Sequence, residues 1–170
     1  MQCFQNMAEN SEQKCLNENE VYGYKLVSIT DDTYIVILNE PCEKHKDFYD
    51  EDVRRLLIVT LTHIFMSGGT VTEDNMILFL KQARLIEEVD DKKKILLLTK
   101  VFTKQLYLEH TKKTQDDESI NVFQWGKRAE HEIPKMLLLN KMSEALEQAP
   151  EFWRIQYEAA TSQQNAQRTV

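Results

Sequence analysis

The chain is short of glycine, proline and long apolar runs. Its 170 residues include four Gly and three Pro, with 42% hydrophobic and 29% charged residues, a composition that excludes collagenous, low-complexity and disordered classes. The best candidate for a membrane span, residues 56–66, is interrupted by Thr60, Thr62 and His63 and is shorter than the roughly 20 apolar residues that a span requires. We therefore expect a mainly helical globular protein with no membrane role.

Metal sites and disulfides also find little support. The three cysteines, Cys3, Cys15 and Cys42, lie 12 and 27 residues apart, which fits neither a disulfide framework nor the CxxC pairs of a zinc site. The four histidines have no metal-ligand spacing either. We predict free thiols, no metal and no cofactor.

The first twenty residues carry four glutamates and no apolar core, so neither a secretory signal nor a basic transit peptide is expected. Signatures of enzymes are missing too: there is no GxxxxGK phosphate loop, no GxSxG elbow and no HExxH zinc motif. These absences favour a binding protein in the cytosol or nucleus.

Positive charge is concentrated in one stretch of an acidic chain. The net charge is −7, yet residues 92–113 hold seven lysines and one acid, which makes this stretch +6 and the remainder −13. A general acidic balance repels phosphate, whereas a local cationic surface attracts it. The seven lysines are candidates for DNA contact: Lys92, Lys93, Lys94, Lys100, Lys104, Lys112 and Lys113.

The first part of the chain predicts one hairpin and a linker. Residues 24–29 and 33–38 are rich in β-branched and aromatic side chains and flank a short polar turn, so we predict two paired strands. We assign residues 1–40 to the end of a first domain and residues 41–50 to an acidic linker.

The remainder predicts a second domain over residues 51–162. A helix at 51–67 is followed by a brief extended segment at Thr70, a helix capped by Thr72 and a third helix at 92–103. On that third helix Lys93, Lys100 and Lys104 fall within about 40° of one another at 100° per residue. Extended segments at 105–110 and 120–124 around a polar turn at 111–119 predict a second hairpin, with helices at 127–133, 135–148 and 150–161 and a disordered tail at 163–170.

This order of helix, short strand, two helices and hairpin is typical of a winged helix, in which the third helix and the hairpin, or wing, can contact DNA. The first half ends in a hairpin too. We predict a mainly α fold with small β-hairpins (α+β) and a tandem winged-helix architecture whose first winged helix is incomplete.

Several short runs resemble one family. They are Ile64 to Gly68, Lys104 to Leu108, the run Phe123-Gln124-Trp125-Gly126-Lys127-Arg128-Ala129 with Glu132, Lys135 and Met136, and finally Trp153, Gln156, Glu158 and Ala159. Together they resemble the melanoma-antigen (MAGE) homology domain over about residues 20–160. Lys127 stands where the family usually has Pro.

The resemblance implies two tandem winged helices, partnership with RING-type ubiquitin ligases and no catalytic residues. It extends to the MAGE-type subunit of the nuclear DNA-repair complex built on the fifth and sixth SMC proteins, which binds a kleisin subunit, a RING-like subunit and DNA. The chain lacks the family's first helices, including one associated with RING binding, so that partner stays open. The alternative is a substrate adaptor of a RING ligase that does not touch DNA.

The candidate residues also have ordinary interpretations. Exposed helices often carry lysines for solubility, and the lysine helix offers no Arg, Asn or Gln on its cationic face, so any DNA binding should be non-specific. Trp125, Trp153 and His63 are most simply core residues. For the partner groove we select Leu96 and Leu97, which flank the packed stripe of the third helix, together with Met136 and Leu139.

Overall fold

A computed structural model describes residues 24–30, 33–38, 50–87, 92–115 and 118–168. The chain divides into two compact units, Met1–Phe48 and Tyr49–Val170. In the first unit β1 (Tyr24–Thr30) pairs antiparallel with β2 (Thr33–Leu38), which confirms the two predicted strands. Residues 1–23 and most of the predicted linker lie outside the described residues, and the assignment of this hairpin to a first winged helix stays a prediction.

The second unit begins with the predicted central helix, α1 (Glu51–Met66). Asp50, which we had placed in the linker, caps this helix, because its carboxylate accepts a hydrogen bond from the backbone N–H of Asp52 at 3.1 Å. Leu61 and Ile64 are fully buried in the core. After the turn at Gly68 and Gly69, β3 (Thr70–Thr72) leads into α2 (Glu73–Gln82), and the Thr72 hydroxyl accepts from Asn75 N–H at 3.3 Å as predicted.

The third helix is not regular. It consists of α3 (Lys92–Leu96), a π-helical turn (Leu97–Val101) and α4 (Phe102–Lys104). The Thr103 hydroxyl donates to the carbonyl of Leu98, five residues back, at 3.2 Å, and such side-chain bonds compete with the regular α-helical ladder. A π-turn rotates by less than 100° per residue. The angle of about 40° predicted for Lys93, Lys100 and Lys104 assumed a regular α-helix and therefore does not apply to this helix.

The wing is longer than predicted. β4 (Leu108–Gln115) pairs with β5 (Glu118–Trp125), and β3 pairs with the other edge of β5, so the sheet has the order β3-β5-β4. Residues 111–115 and 118–119, which we had assigned to a turn, belong to the strands. They lack apolar alternation because this end of the ribbon has little core to cover. Residues 105–107, predicted as extended, form a turn with Leu106 at a positive φ of 64°.

Four helical elements complete the unit: α5 (Lys127–Glu132), α6 (Lys135–Leu146), a 3₁₀ turn (Pro150–Phe152) and α7 (Arg154–Arg168). The prediction of a disordered tail from residue 163 is wrong as far as Arg168. The reason is Gln163, whose side chain accepts from Lys135 N–H at 2.7 Å and donates to the carbonyls of Glu130 and Ile133 at 2.7 and 3.1 Å. The end of α7 is therefore bound to the junction of α5 and α6.

The described residues confirm a mainly helical fold with small antiparallel sheets. The core of the second unit is made by side chains from α1, α2, the third helix, β5 and α6; its largest fully buried members include Phe102, Phe123, Leu56, Leu61, Met76 and Leu139. Within the described ranges no helix is long and apolar enough to cross a membrane.

Candidate functional site

The run from Phe123 to Ala129 owes its composition to packing. Phe123, Trp125 and Ala129 are buried, and the indole N–H of Trp125 donates to the carbonyl of Leu61 at 2.9 Å. Gly126 lies so close to the preceding turn that a Cβ at this position would be 2.2 Å from the backbone oxygen of Leu106. Only glycine fits there. The interpretation of Trp125 as a core residue is confirmed.

Arg128 connects the run from Phe123 to Ala129 to the turn before the wing. Its backbone N–H donates to Leu106 O at 2.9 Å, and its guanidinium lies 5.5 Å from the centroid of the Tyr107 ring. The Tyr107 hydroxyl donates to Glu132 at 2.5 Å. These contacts join the start of the wing to α5, so the most recognisable motif of the sequence builds the scaffold on which a surface site can sit.

The lysines of the third helix differ in what they can reach. Lys92, Lys93, Lys100 and Lys104 are exposed. Lys94 is half-buried, and its ammonium donates to the carbonyl of Leu85 at 2.5 Å, which ties the third helix to the end of the preceding turn. A phosphate would have to compete with this bond, so Lys94 is the weakest of the candidates on this helix.

The two wing lysines lie on opposite faces of the ribbon. Lys112 and Lys113 are both exposed and consecutive in β4, and successive strand residues point to opposite sides. Lys112 pairs across the ribbon with Asn121, whereas Lys113 pairs with Ile120. The structure therefore places the two lysines in one strand but not on one surface.

A carboxylate anchors the Lys112 face of the wing. Glu73, at the start of α2, accepts a hydrogen bond from the Asn121 amide at 2.7 Å and lies 3.1 Å from Nε2 of His110. The His110 ring stacks on Phe123 with 4.6 Å between centroids. One side chain thus holds both strands of the wing against the body of the second unit.

His63 is a half-buried residue of α1 with a packing role. Its ring stacks on that of Phe79 with centroids 3.8 Å apart and planes 4° apart, and desolvation by burial lowers the pKa of the imidazole from its usual 6.5. No group of three or more metal-ligating side chains occurs among the described residues.

The four residues chosen for a partner groove do not form one surface. Leu96 is 47% exposed, while Leu97 and Met136 are half-buried and pack on the core. Leu139 is 0% exposed, so its prediction as a surface residue is wrong. It fails because α6 is covered on the side of Leu138 and Leu139, and the sequence alone did not show which leucines of the run face inward.

Sequence reasoning missed a groove of mixed polarity beside α7. Its volume is about 210 Å³, and its lining combines Phe65, Gly68, Gly69, Trp125, Ile155 and Ala159 with the polar side chains of Gln124, Glu130, Lys135 and Gln156. The Lys135 ammonium pairs with Glu130 at 2.7 Å and lies 5.0 Å from the centroid of the Trp125 ring. A signal was available in the sequence: Trp153, Tyr157 and Ala160 repeat at helical spacing and pack inward, so Phe152 and Ile155 fall off that stripe.

Comparison with known proteins identifies the family of this chain. The model of the MAGE homology domain matches residues 4–136. The chain belongs to the MAGE homology domain family. Among its relatives, the human non-structural maintenance of chromosomes element 3 homolog is 33% identical over 160 residues, which cover 87% of this chain and 52% of that protein. The mouse protein of the same name is 32% identical over 81% of this chain and 52% of its own length, so the chain spans about half the length of these relatives.

A solved structure also resembles this MAGE domain. A chain of the Nse1-Nse3-Nse4 complex superposes with a TM-score of 0.70 at 28% identity, over 91% of this chain and 79% of that one. Human MAGE-like protein 2 is 31% identical over 80% of this chain and 12% of its own length. The run Phe123 to Ala129 is mostly interior, whereas the seven lysines stay predictions of binding.

Proposed function

We propose that this MAGE-family chain is a non-catalytic subunit of a nuclear SMC-type chromosome-maintenance and DNA-repair complex. In that role it binds a kleisin subunit and a RING-type ubiquitin ligase and contacts DNA without reading its sequence. The observation that carries the proposal is the likeness to a chain of the Nse1-Nse3-Nse4 complex over 91% of this chain. The relatives named for chromosome maintenance support it at 33% and 32% identity.

Kleisin binding is proposed for the exposed side of the third helix. Leu96 is 47% exposed and belongs to a helix whose buried side chains are Leu98 and Phe102. An amphipathic partner helix can bury the exposed half of this leucine at a gain of about 1 kcal/mol.

DNA contact is proposed for the exposed lysines, and they should not contribute equally. Four acids at positions 87–91 directly precede Lys92 and Lys93 in the sequence and reduce the potential there. Lys100, Lys104 and Lys113 are exposed and further from that acidic run along the chain, whereas Lys112 lies on the face of the wing that carries the Glu73 carboxylate. We therefore expect these three to supply most of the phosphate attraction.

The partner test is affinity capture of the tagged chain from nuclear extract, with mass spectrometry of what is recovered. We expect SMC, kleisin and RING-type subunits, and we expect Leu96→Glu to lose the kleisin. Leu78→Glu is the matched control, because Leu78 is 55% exposed on α2 and should leave recovery unchanged. If a RING ligase and unrelated proteins are recovered without SMC or kleisin subunits, the chain is a ligase adaptor and the proposal fails.

The DNA test compares two triple charge reversals of equal net charge. We expect Lys100→Glu/Lys104→Glu/Lys113→Glu to weaken duplex binding about tenfold or more and to reduce the slope of log K against log salt by about 2–3. The control reverses Lys127, Lys141 and Arg154, exposed bases of α5, α6 and α7, and should have a smaller effect. Equal effects of the two variants would show that only overall charge matters and would remove DNA from the proposed role.

A further inference from the structure

The wing leaves one edge of its sheet open. The strands have the order β3-β5-β4, so β5 is paired on both sides and β4 is paired on one side only. In the part of the chain that the structure describes, no strand lies on the outer edge of β4. An edge of this kind presents unpaired backbone N–H and C=O groups, to which an extended segment of another chain can add as a new strand.

The register of the wing shows which backbone groups face that edge. Gly126 N–H donates to Tyr107 O at 2.9 Å, so residues 107 and 126 are opposite each other at a hydrogen-bonded position. Hydrogen-bonded and non-bonded positions alternate along an antiparallel ladder. Residues 109, 111 and 113 therefore direct their backbone groups to β5, whereas His110, Lys112 and Thr114 direct theirs to the open edge.

The outer half of β4 is accessible from both faces. All four side chains from Thr111 to Thr114 are exposed. β3 pairs with β5 only as far as Val122, so the wing beyond this point is a ribbon of two strands. Within the described residues, the backbone groups of Lys112 and Thr114 make no hydrogen bond to another part of the unit. An incoming strand can therefore reach their donors and acceptors.

Charge selects the kind of segment that can pair there. Lys112 and Lys113 lie on opposite faces, and residues 110–114 hold no acid, so an added strand has a positive side chain beside it on each face. Glu73 lies on the Lys112 face, where its carboxylate is engaged with His110 and Asn121. Lysines on an edge strand oppose its pairing with a second copy of the same strand, because like charges would meet. An acidic segment is attracted instead.

We propose that the open edge of β4 binds an extended acidic segment of another protein, which joins the sheet as a fourth strand. Its backbone bonds to the N–H and C=O groups of His110, Lys112 and Thr114, and its acidic side chains pair with Lys112 on one face and Lys113 on the other. The inference goes beyond the proposed function and does not depend on it, because the backbone edge has no part in the DNA contact. A bound segment would cover Lys113 and so compete with DNA.

The test uses a synthetic peptide of about ten residues, built from Val and Thr with two adjacent Glu at its centre, and a matched peptide with Lys at those two positions. Binding to the whole chain is measured by fluorescence anisotropy. We expect the Glu peptide to bind about tenfold more tightly or better. Amide exchange measured by NMR should slow about tenfold at residues 110, 112 and 114, and less at residues 111 and 113, which already bond to β5.

Two further comparisons separate strand addition from attraction by charge alone. Two versions of the Glu peptide, N-methylated at opposite sets of alternate residues, should differ about tenfold in affinity, because only one set of N–H groups faces β4. Lys112→Glu/Lys113→Glu should abolish the preference for the Glu peptide, whereas Lys127→Glu/Lys141→Glu, the same change at exposed lysines of α5 and α6, should keep it. Absence of binding, equal affinity of the two N-methylated peptides, or protection spread evenly over residues 110–114 would overturn the proposal.

Discussion

Gly126 shows how a single position ties the family motif to the fold. The residue joins the end of β5 to α5, and its backbone N–H donates to Tyr107 O at 2.9 Å. Its φ of −86° suits any residue, so the reason for glycine here is space and not conformation. The neighbouring Trp125 and Arg128 each bond to a different part of the unit, and their positions depend on this close approach.

We predict that Gly126→Ala lowers the free energy of unfolding by about 3 kcal/mol, because the added methyl overlaps backbone atoms that cannot move like a side chain. Thermal denaturation followed by circular dichroism measures the change. Gly68→Ala is the control: Gly68 has a φ of 88° but nothing within 4 Å of the added Cβ, so its cost is about 1–2 kcal/mol, from backbone strain alone. A larger loss at Gly68 than at Gly126 would contradict the explanation.

At the scale of elements, the sequence predicts the helices and strands that pack on the core and does not predict the structural features away from it. The helical spacing of α1 and the capping oxygen of Thr72 are local features of the sequence, and the structure confirms both predictions. The π-turn at Leu97–Val101 accompanies a bond from the Thr103 hydroxyl to Leu98 O, five residues back. The helical end of α7 depends on the Gln163 amide, which bonds to carbonyls 33 and 30 residues away in the sequence. No pattern of hydrophobicity records such bonds, and the same holds for the outer part of β4, which is polar from Thr111 to Gln115.

The residues of the candidate site also divide into features that are visible in the sequence and features that depend on tertiary contacts. The lysines could be found because charge is visible in a sequence. That Lys94 is engaged with Leu85 O, and that Lys112 and Lys113 point apart, requires the tertiary structure and the register of the wing. Leu139 was misassigned because a run of three leucines in α6 does not itself show which of them faces the core.

The wing depends on Glu73 for its attachment, and Glu73→Ala should loosen it. We expect amide hydrogen exchange in residues 108–114 and 119–124 to accelerate roughly tenfold, since bonds to both strands are lost at a cost of about 1–2 kcal/mol. Asp74→Ala is the control, because Asp74 is an exposed acid in the same first turn of α2 and contributes the same interaction with the helix dipole. If the two variants exchange alike, the effect belongs to the helix end and not to the wing.

At the scale of the whole molecule, most of the described structure, including the third helix and the wing, belongs to the unit Tyr49–Val170. The lysines of these elements are a cationic part of a chain with a net charge of −7. Such a molecule can attract a phosphate backbone at one surface although its overall charge repels phosphate. The elements that carry the lysines are built on the core around α1, so the stability of that core limits what they can bind.

The pH dependence of that stability should come in part from His63. Because burial lowers its pKa below the 6.5 of the unfolded chain, the folded state favours the neutral ring that stacks on Phe79. The stabilising contribution is fully present above about pH 6.5 and is lost as the pH falls through the folded pKa. We predict that His63→Phe, which keeps an aromatic ring against Phe79, reduces the fall in Tm between about pH 7.5 and about pH 5. An equal fall in Tm for the wild type and His63→Phe would mean that other groups carry the acid sensitivity of this core.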